Sequence, residues 1–253
     1  MSYDDWRATL YPADLKKGRF LEHYSSEFNV LELNTTYYRL PDPAFIERLT
    51  KRTPPGFKFF IKAFRGITHE IGPGTPGHLE RFLSAVDMAR IEKKLGGILI
   101  QFPYSYHLNT RNLKYLNWLL DAIPEIPTVV EFRNRKWFEE EIFTMLREKG
   151  AGFCSVDEPR LKGLLPPIAI VTSDQVGYVR FHGRNAGKWW EHDDPSERYD
   201  YLYTGEELSD WRDKILGMAA KAKDIFVMFN NHRGGKAVIN ARQMSILLNR
   251  NSG

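Results

Sequence analysis

Seven short apolar segments recur along the chain, and each of them ends in polar residues. They are rich in Val, Ile, Leu and Phe, and their length and their β-branched or aromatic content are typical of strands. The predicted strands are Asn29–Thr35, Phe57–Ala63, Gly97–Pro103, Thr128–Arg133, Ala151–Asp157, Gly177–Gly183 and Asp224–His232.

The stretches between these segments have helical periodicity. Between Leu79 and Lys94, apolar residues recur every three or four positions, as they do on one side of a helix. The stretch from Phe138 to Lys149 begins with three glutamates and ends before Gly150, which suits the helix dipole and a glycine stop. The predicted helices are Leu79–Lys94, Leu113–Ile123, Phe138–Lys149, Gly205–Ala222 and Val238–Leu248.

Strands that alternate with helices predict a parallel sheet and an α/β fold. Seven such units in 253 residues fit a TIM-type (β/α) barrel, which typically has about 250 residues, better than an open sheet. We therefore expect a single barrel domain that spans residues 1–253.

In each predicted strand, alternate positions are apolar and the others become polar toward the carboxyl end. In a barrel, one set of positions faces the helices and the other faces the axis, and barrel enzymes place their chemistry at the carboxyl ends. In the fifth segment this assigns Asp157 to the axis and Cys154 to the helices. The polar residues predicted to point inward are Glu32, Asn34, Lys62, Gln101, Glu131, Arg133, Asp157, Arg180, His182 and Asn230.

The composition is 42% hydrophobic, 13% aromatic and 27% charged, which excludes a disordered or a disulfide-stapled chain. One cysteine, Cys154, rules out an internal disulfide and fits a reducing compartment. No apolar run approaches the ~18 residues of a membrane span, so we expect a cytoplasmic protein without a membrane partner. The net charge of +4 is compatible with an anionic ligand but too small to require one.

Eight segments carry a family resemblance in an order that spans nearly the whole chain. They are DDWRATLYP (4–12), FNVLELNTTYYRLP (28–41), PPGFKFFIKAFRGITHE (54–70), GGILIQFP (96–103), VVEFRNRKWF (129–138), SVDEP (155–159), YVRFHGRN (178–185) and FVMFNNHRGGKAVINA (226–241). Together they resemble domain-of-unknown-function family 72, the YecE-like proteins. The resemblance implies a TIM-type barrel and brings no established reaction.

One departure from the family pattern concerns the first strand. Family members usually begin with a strand of the form Gly-Thr-Ser-Gly-Trp before the segment that matches DDWRATLYP, and here that segment stands at the start. We therefore expect the family's first strand to be absent, either because the start site is late or because the protein lacks it. Its absence would leave two unpaired strand edges.

The inward polar residues have two interpretations. Buried charges must pair with one another, with water or with a ligand, so the residues form either a salt-bridge network that fills the barrel or a site. In a site, a carboxylate serves as a general base, His or Lys as an acid, and Arg binds an anion bidentately. The predicted catalytic residues are Glu131, Asp157, His182 and Lys62, and the predicted substrate-binding residues are Glu32, Asn34, His69, Gln101, Arg133, Arg180, Asn230, Asn231 and His232.

Two loops after the last strands add to this prediction. Asn230–Lys236 contains paired glycines, Arg233 and Lys236, at a place where barrel enzymes often bind phosphate, although any tight turn favours glycine. The loop Gly183–Thr204 holds two tryptophans and three tyrosines, which form either a lid with a stacking surface or an ordinary packed cluster.

These features predict an enzyme that uses acid–base chemistry, of hydrolase or isomerase/lyase type, on a small anionic substrate such as a phosphorylated sugar or a nucleotide. No cofactor is predicted. Two alternatives stay open: a phosphodiester hydrolase that acts on nucleic acid with a divalent metal, and a binding module for nucleic acid or nucleotides without catalysis. Nearby Arg and Lys side chains would repel a metal, and no His-Glu-x-x-His or paired-Cys spacing is present. The sequence does not predict an oligomeric state.

Overall fold

The computed structural model describes residues 4–249, and this part of the chain contains seven strands and nine α-helices. Every predicted strand segment overlaps one observed strand, although β3 and β6 begin one or two residues earlier than predicted. The strands are β1 (Val30–Leu33), β2 (Lys58–Lys62), β3 (Leu95–Gln101), β4 (Thr128–Glu131), β5 (Gly152–Asp157), β6 (Val176–Phe181) and β7 (Asp224–Phe229).

All five predicted helices are present, with ends shifted by a few residues. The helices are α1 (Phe20–Glu27), α2 (Thr35–Tyr38), α3 (Pro43–Thr50), α4 (Arg65–Thr68), α5 (Thr75–Ile91), α6 (Thr110–Ala122), α7 (Glu140–Glu148), α8 (Gly205–Ala219) and α9 (Lys236–Asn249). Sequence periodicity missed α1–α4, which have only four to eight residues each. The start of α3 does carry a local signal, because Pro43 opens the helix and the Asp42 side chain accepts a hydrogen bond from the Phe45 amide at 2.7 Å.

The alternation of parallel strands with helices confirms the predicted α/β fold of the TIM type. Within residues 4–29 no strand precedes β1, and residues 4–6 form a 3₁₀ turn. No helix among the described residues is both long and apolar enough to span a membrane.

The chain divides into two compact units. Unit 1 comprises residues 14–132 and contains β1–β4, and unit 2 comprises the described parts of 3–13 and 133–253 and contains β5–β7. Within each unit, neighbouring strands in the sequence are neighbours in the sheet, and their pairing is parallel.

The register in unit 1 confirms the predicted faces. Glu32 lies opposite Phe60, Lys62 opposite Leu99, and Gln101 opposite Glu131. Residues paired in register point to the same face, so all four of these polar side chains share one face. Phe102 belongs to the other face, where its ring contacts Tyr115 of α6 at a centroid distance of 6.5 Å.

Unit 2 has a large aromatic core between β6, β7 and α8. Phe181 stacks on Phe229 at 4.5 Å and contacts the edge of Trp211 on α8 at 5.4 Å. Val179 and Leu208 are buried in the same cluster. The face that carries Val179 and Phe181 is therefore the helix-covered face, and Tyr178 and Arg180 point to the opposite face, as predicted.

Candidate functional site

The predicted orientation of Asp157 is wrong. In the register of β5 and β6, Val156 lies opposite Arg180 and Asp157 lies opposite Phe181, so Asp157 points to the helix-covered face. Its buried carboxylate accepts hydrogen bonds from Arg184 and from the indole of Trp211 on α8. The same register places Cys154 opposite Tyr178, on the face away from the helices.

Glu158, which sequence reasoning missed, takes the position expected for Asp157. Its side chain is buried, and Oε2 lies 3.4 Å from Arg133 Nη1. Oε1 accepts a hydrogen bond from the Leu165 amide at 3.0 Å. The sequence carried a signal for Glu158, because adjacent residues of a strand point to opposite faces. Once the register places Asp157 on the helix-covered face, Glu158 falls on the other face.

His182 is the centre of a polar cluster, the Arg133–Glu158–His182–Asn230 cluster. Arg133 Nη2 lies 3.5 Å from His182 Nδ1, and Asn230 Nδ2 lies 3.2 Å from the same atom. A guanidinium group only donates hydrogen bonds, so Nδ1 is the acceptor and the ring proton is on Nε2. The imidazole is completely buried.

The four members of this cluster come from four different positions at strand ends. Arg133 follows β4 by two residues, Glu158 follows β5, and His182 and Asn230 follow β6 and β7. Carboxyl ends of parallel strands are where barrel enzymes place reacting groups. The Arg133 side chain is 13% exposed, whereas that of the other charged member, Glu158, has no exposed surface.

The other predicted residues of unit 2 lie around this cluster or away from it. Arg180 is buried on the same face, opposite Met228. The rings of His182 and His232 both lie near Tyr199, at centroid distances of 6.1 and 6.0 Å. Burial lowers the pKa of His232 from its usual value.

Asn231 is buried, and its side-chain amide bonds to residues other than His182. Its Nδ2 donates hydrogen bonds to the Tyr201 carbonyl and to Asn240 Oδ1, both at 2.8 Å. Asn240 in turn contacts the main chain of Tyr203. Asn231 therefore ties the 183–204 loop to α9, and its position suits that structural role better than substrate binding.

The glycine turn at 233–235 already holds carboxylates of the protein itself. The Gly234 amide donates a hydrogen bond to Asp5 Oδ2 at 2.9 Å. Lys236 Nζ bonds to Asp200, and Arg233 lies 4.0 Å from the same carboxylate. The chemistry predicted for an anion is thus present at this turn, with Asp5 and Asp200 in the place of a ligand.

The aromatic loop 183–204 is packed at some positions and open at others. Trp189 and Tyr203 are buried, whereas Trp190 is 49% exposed. Tyr203 packs on Phe181 at 5.2 Å, and Trp189 meets the edge of Tyr199 at 6.3 Å. Most of the loop's aromatic surface therefore serves packing, and Tyr199 is the ring that reaches His182.

Unit 1 carries a second group of predicted residues on its polar face. Lys62 Nζ donates a hydrogen bond to Gln101 Oε1 at 2.8 Å and lies 4.7 Å from the centre of the Tyr37 ring. Tyr37 also meets the His69 ring edge-on at 4.8 Å, and burial raises the pKa of Tyr37. Tyr37, which the sequence analysis did not single out, thus links Lys62 to His69.

The remaining unit 1 residues form pairs. Asn34 Nδ2 donates a hydrogen bond to Glu32 Oε1 at 2.8 Å, and His69 Nδ1 lies 2.9 Å from the Thr68 hydroxyl. Glu131 is fully buried beside Gln101 in the register of β3 and β4. Across residues 4–249, no group of three or more His, Cys, Asp or Glu side chains is arranged to hold a metal ion.

Comparison with known proteins matches the sequence to one family. The model of the family "Protein of unknown function DUF72" matches residues 1–253. The chain belongs to the DUF72 family. The UPF0759 protein YunF of Bacillus subtilis is 33% identical over 254 residues, which is 95% of this chain and 90% of YunF. The UPF0759 protein YecE of Escherichia coli is 32% identical over 126 residues, which is 48% of this chain and 45% of YecE.

Solved structures of DUF72 proteins have the same fold. A DUF72 family protein of Thermotoga maritima is 36% identical, with a TM-score of 0.89 over 98% of this chain and 96% of that one. At 10% identity, SacUVDE matches with a TM-score of 0.53 over 89% of this chain and 85% of its own, which shows a shared fold alone.

Proposed function

We propose that this DUF72 protein is an enzyme that binds a small anionic substrate, a phosphorylated sugar or a nucleotide, and acts on it by acid–base chemistry. The observation that supports this most is His182, whose Nδ1 accepts from Arg133 and Asn230 while the ring proton is on Nε2. A buried neutral imidazole held in one tautomer presents an N–H that can donate a hydrogen bond to a substrate oxygen that becomes negative during the reaction.

Each member of the cluster has a distinct role in this proposal. His182 donates a hydrogen bond from its Nε2 N–H to the reacting oxygen of the substrate, and Asn230 keeps the ring oriented. Arg133 binds the anionic group, since a guanidinium matches phosphate and carboxylate oxygens bidentately. Glu158 holds Arg133 in place with one oxygen and is itself fixed by the Leu165 amide.

Unit 1 holds candidates for proton transfer on its own polar face. Glu131 is a buried carboxylate, and Lys62 is held by Gln101 and Tyr37. Asp157 is left out of the proposed catalytic residues because its carboxylate is bonded to Arg184 and Trp211.

The test is a thermal-shift screen with inorganic phosphate, sugar phosphates, nucleotides and short oligonucleotides, each with and without a chelator. A ligand at 100 times its Kd stabilises the folded state by about 2.7 kcal/mol, which raises the Tm by several degrees. We expect a small phosphorylated anion to raise the Tm of the wild type and of Arg135→Ala, but not of Arg133→Ala. Arg135 is the matched control, since it is an exposed arginine two residues further along.

The same screen separates the alternatives. A shift caused only by oligonucleotides would favour a nucleic-acid-binding module, and a shift abolished by chelator would favour a metal-dependent hydrolase. A shift that persists in Arg133→Ala, or none with any anion, would contradict the proposed site. Once a substrate is found, His182→Gln should abolish its turnover without abolishing its binding.

A further inference from the structure

A buried network on the helix-covered side of β5 and β6 begins at Asp157. Both carboxylate oxygens accept from Arg184, Oδ1 from Nε at 2.8 Å and Oδ2 from Nη2 at 2.7 Å. Oδ2 also accepts from the Trp211 indole at 2.6 Å. The Asp157 side chain has no exposed surface, and these hydrogen bonds raise the pKa of Arg184.

The network continues from Arg184 to the start of α8. Arg184 Nη1 donates to Glu207 Oε1 at 2.7 Å, and the Tyr201 hydroxyl donates to the same oxygen at 2.7 Å. The other oxygen of Glu207 accepts from the Thr204 amide, and the Thr204 hydroxyl accepts from the Glu207 amide. This capping box fixes the first turn of α8, so Arg184 is anchored to a helix end as well as to a strand.

The main chain of the segment His182-Gly183-Arg184 is bonded to the same residues. The His182 amide donates to the Asp157 carbonyl at 2.8 Å, and the Gly183 amide donates to the Tyr203 hydroxyl at 2.8 Å. The Tyr203 hydroxyl lies 3.3 Å from the Asp157 carbonyl oxygen. Asp157 therefore contacts this segment twice, through its carbonyl at His182 and through its carboxylate at Arg184.

We infer that Asp157 and Arg184 are positioning residues, which fix the orientation and the tautomer of the His182 imidazole from the opposite side of the sheet. This inference rests on the proposed function, in which His182 donates a hydrogen bond to the substrate. The physical reason is that a side chain is held only as firmly as its backbone, and only Gly183 lies between His182 and Arg184, which forms the bidentate ion pair. A shift of the segment would move Nδ1 away from Asn230 and Arg133. The two contacts, at 3.2 and 3.5 Å, are already at the upper end of hydrogen-bond distances, so a small displacement would break them.

The experiment records the ring nitrogen resonances of His182 by ¹⁵N NMR in the full chain, with the signal assigned by its loss in His182→Gln. The variants are Arg184→Lys, which keeps the charge but loses the fork, and Trp211→Phe, which removes only the indole donor. Leu208→Ala is the matched control. Leu208 is buried on the same helix, so its replacement destabilises the core without removing a hydrogen bond to Asp157.

We expect a single tautomer with the proton on Nε2 in the wild type and in Leu208→Ala. In Arg184→Lys and Trp211→Phe we expect a mixture of tautomers, with a larger effect in Arg184→Lys. Because Trp211→Phe makes the smallest change, it keeps the test valid if Arg184→Lys does not fold. A His182 signal identical to the wild type in both variants, with only a lower Tm, would overturn the inference.

Failure of this inference is distinguishable from failure of the proposed function. The tautomer is read without any ligand, whereas the proposed function is tested by the Arg133-dependent thermal shift. An unchanged His182 signal together with a phosphate shift lost in Arg133→Ala would overturn the positioning role and leave the anion site intact. A mixed signal already in the wild type would overturn both the positioning role and the proposed role of His182.

Discussion

Asp157 and Glu158 are neighbours in the chain, but their carboxylates bond to opposite sides of the β5 end. Asp157 is bonded to Trp211 on the helix-covered side, and Glu158 is bonded to Arg133 in the cluster around His182. Both side chains have no exposed surface. At the carboxyl end of β5, Asp157 thus stabilises the helix-covered side, and its neighbour Glu158 forms part of the site.

This division predicts that Asp157→Asn is more destabilising than Glu158→Gln. Removing one charge of a buried ion pair costs about 3–5 kcal/mol, and in Asp157→Asn the Arg184 guanidinium keeps only its pair with Glu207. In Glu158→Gln the contact with Arg133 that is lost is a single one at 3.4 Å, and the amide oxygen still accepts from Leu165, so we expect a loss of about 1–3 kcal/mol. Urea unfolding of the two variants measures the difference.

The control is Asp213→Asn, which removes a carboxylate from an exposed pair with Arg212. A side chain that is 78% exposed gains little from such a pair, so the urea midpoint should not move. Equal losses for Asp157→Asn and Glu158→Gln would show that the two acids do not differ in the way the hydrogen bonds indicate.

Gly183 is predicted to tolerate no side chain. Its φ is +90°, and a Cβ atom there would lie 2.8 Å from the Tyr201 Cβ. Gly183→Ala should therefore destabilise the protein by about 1–3 kcal/mol and should also disturb the His182 resonance. Gly187 lies in the same loop with open space around it, so Gly187→Ala is the matched control and should leave the unfolding free energy nearly unchanged.

The faces of the strands could be predicted wherever the polar residues have polar partners on the face that the alternation indicates. In unit 1 the alternation gave the correct face for Glu32, Lys62, Gln101 and Glu131. In β5 it failed because a buried aspartate was assumed to point to the site. The sequence does not show that Arg184 and Trp211, which lie 27 and 54 residues further along, stabilise Asp157 on the other side.

The loops were less predictable than the strands, for the same physical reason. The glycine turn after β7 has the residues of an anion site, but its nearest carboxylate comes from Asp5, 229 residues earlier in the chain. Likewise, Tyr37 of α2 takes part in the polar group of unit 1 only because its ring lies over Lys62 of β2. Contacts between distant segments follow from the folded geometry and leave no local pattern.

The glycine turn offers a third prediction. In Asp5→Ala the Gly234 amide loses its carboxylate acceptor, so an added anion can take the vacated position beside Arg233. We expect inorganic phosphate to raise the Tm of Asp5→Ala more than that of the wild type, by mass action on the folded state. Asp14→Ala is a control for the loss of one exposed negative charge. Equal shifts in all three proteins would contradict an anion site at this turn.

The last prediction concerns pH and follows from His232. Burial lowers its pKa below the ordinary value of 6.5; Asp5 and Asp194 oppose this shift and Arg233 adds to it. Below pH 6.5 the unfolded chain therefore binds a proton that the folded chain does not, until the pH falls below the folded-state pKa as well. The free energy of unfolding should thus decrease as the pH is lowered from about 7.5 to about 5.5, across the usual range of histidine titration.

In His232→Gln this part of the decrease should disappear, whereas replacing the exposed His107 by Gln should retain it. Urea unfolding at the two pH values checks this, and a decrease of the same size in His232→Gln would show that another group is responsible.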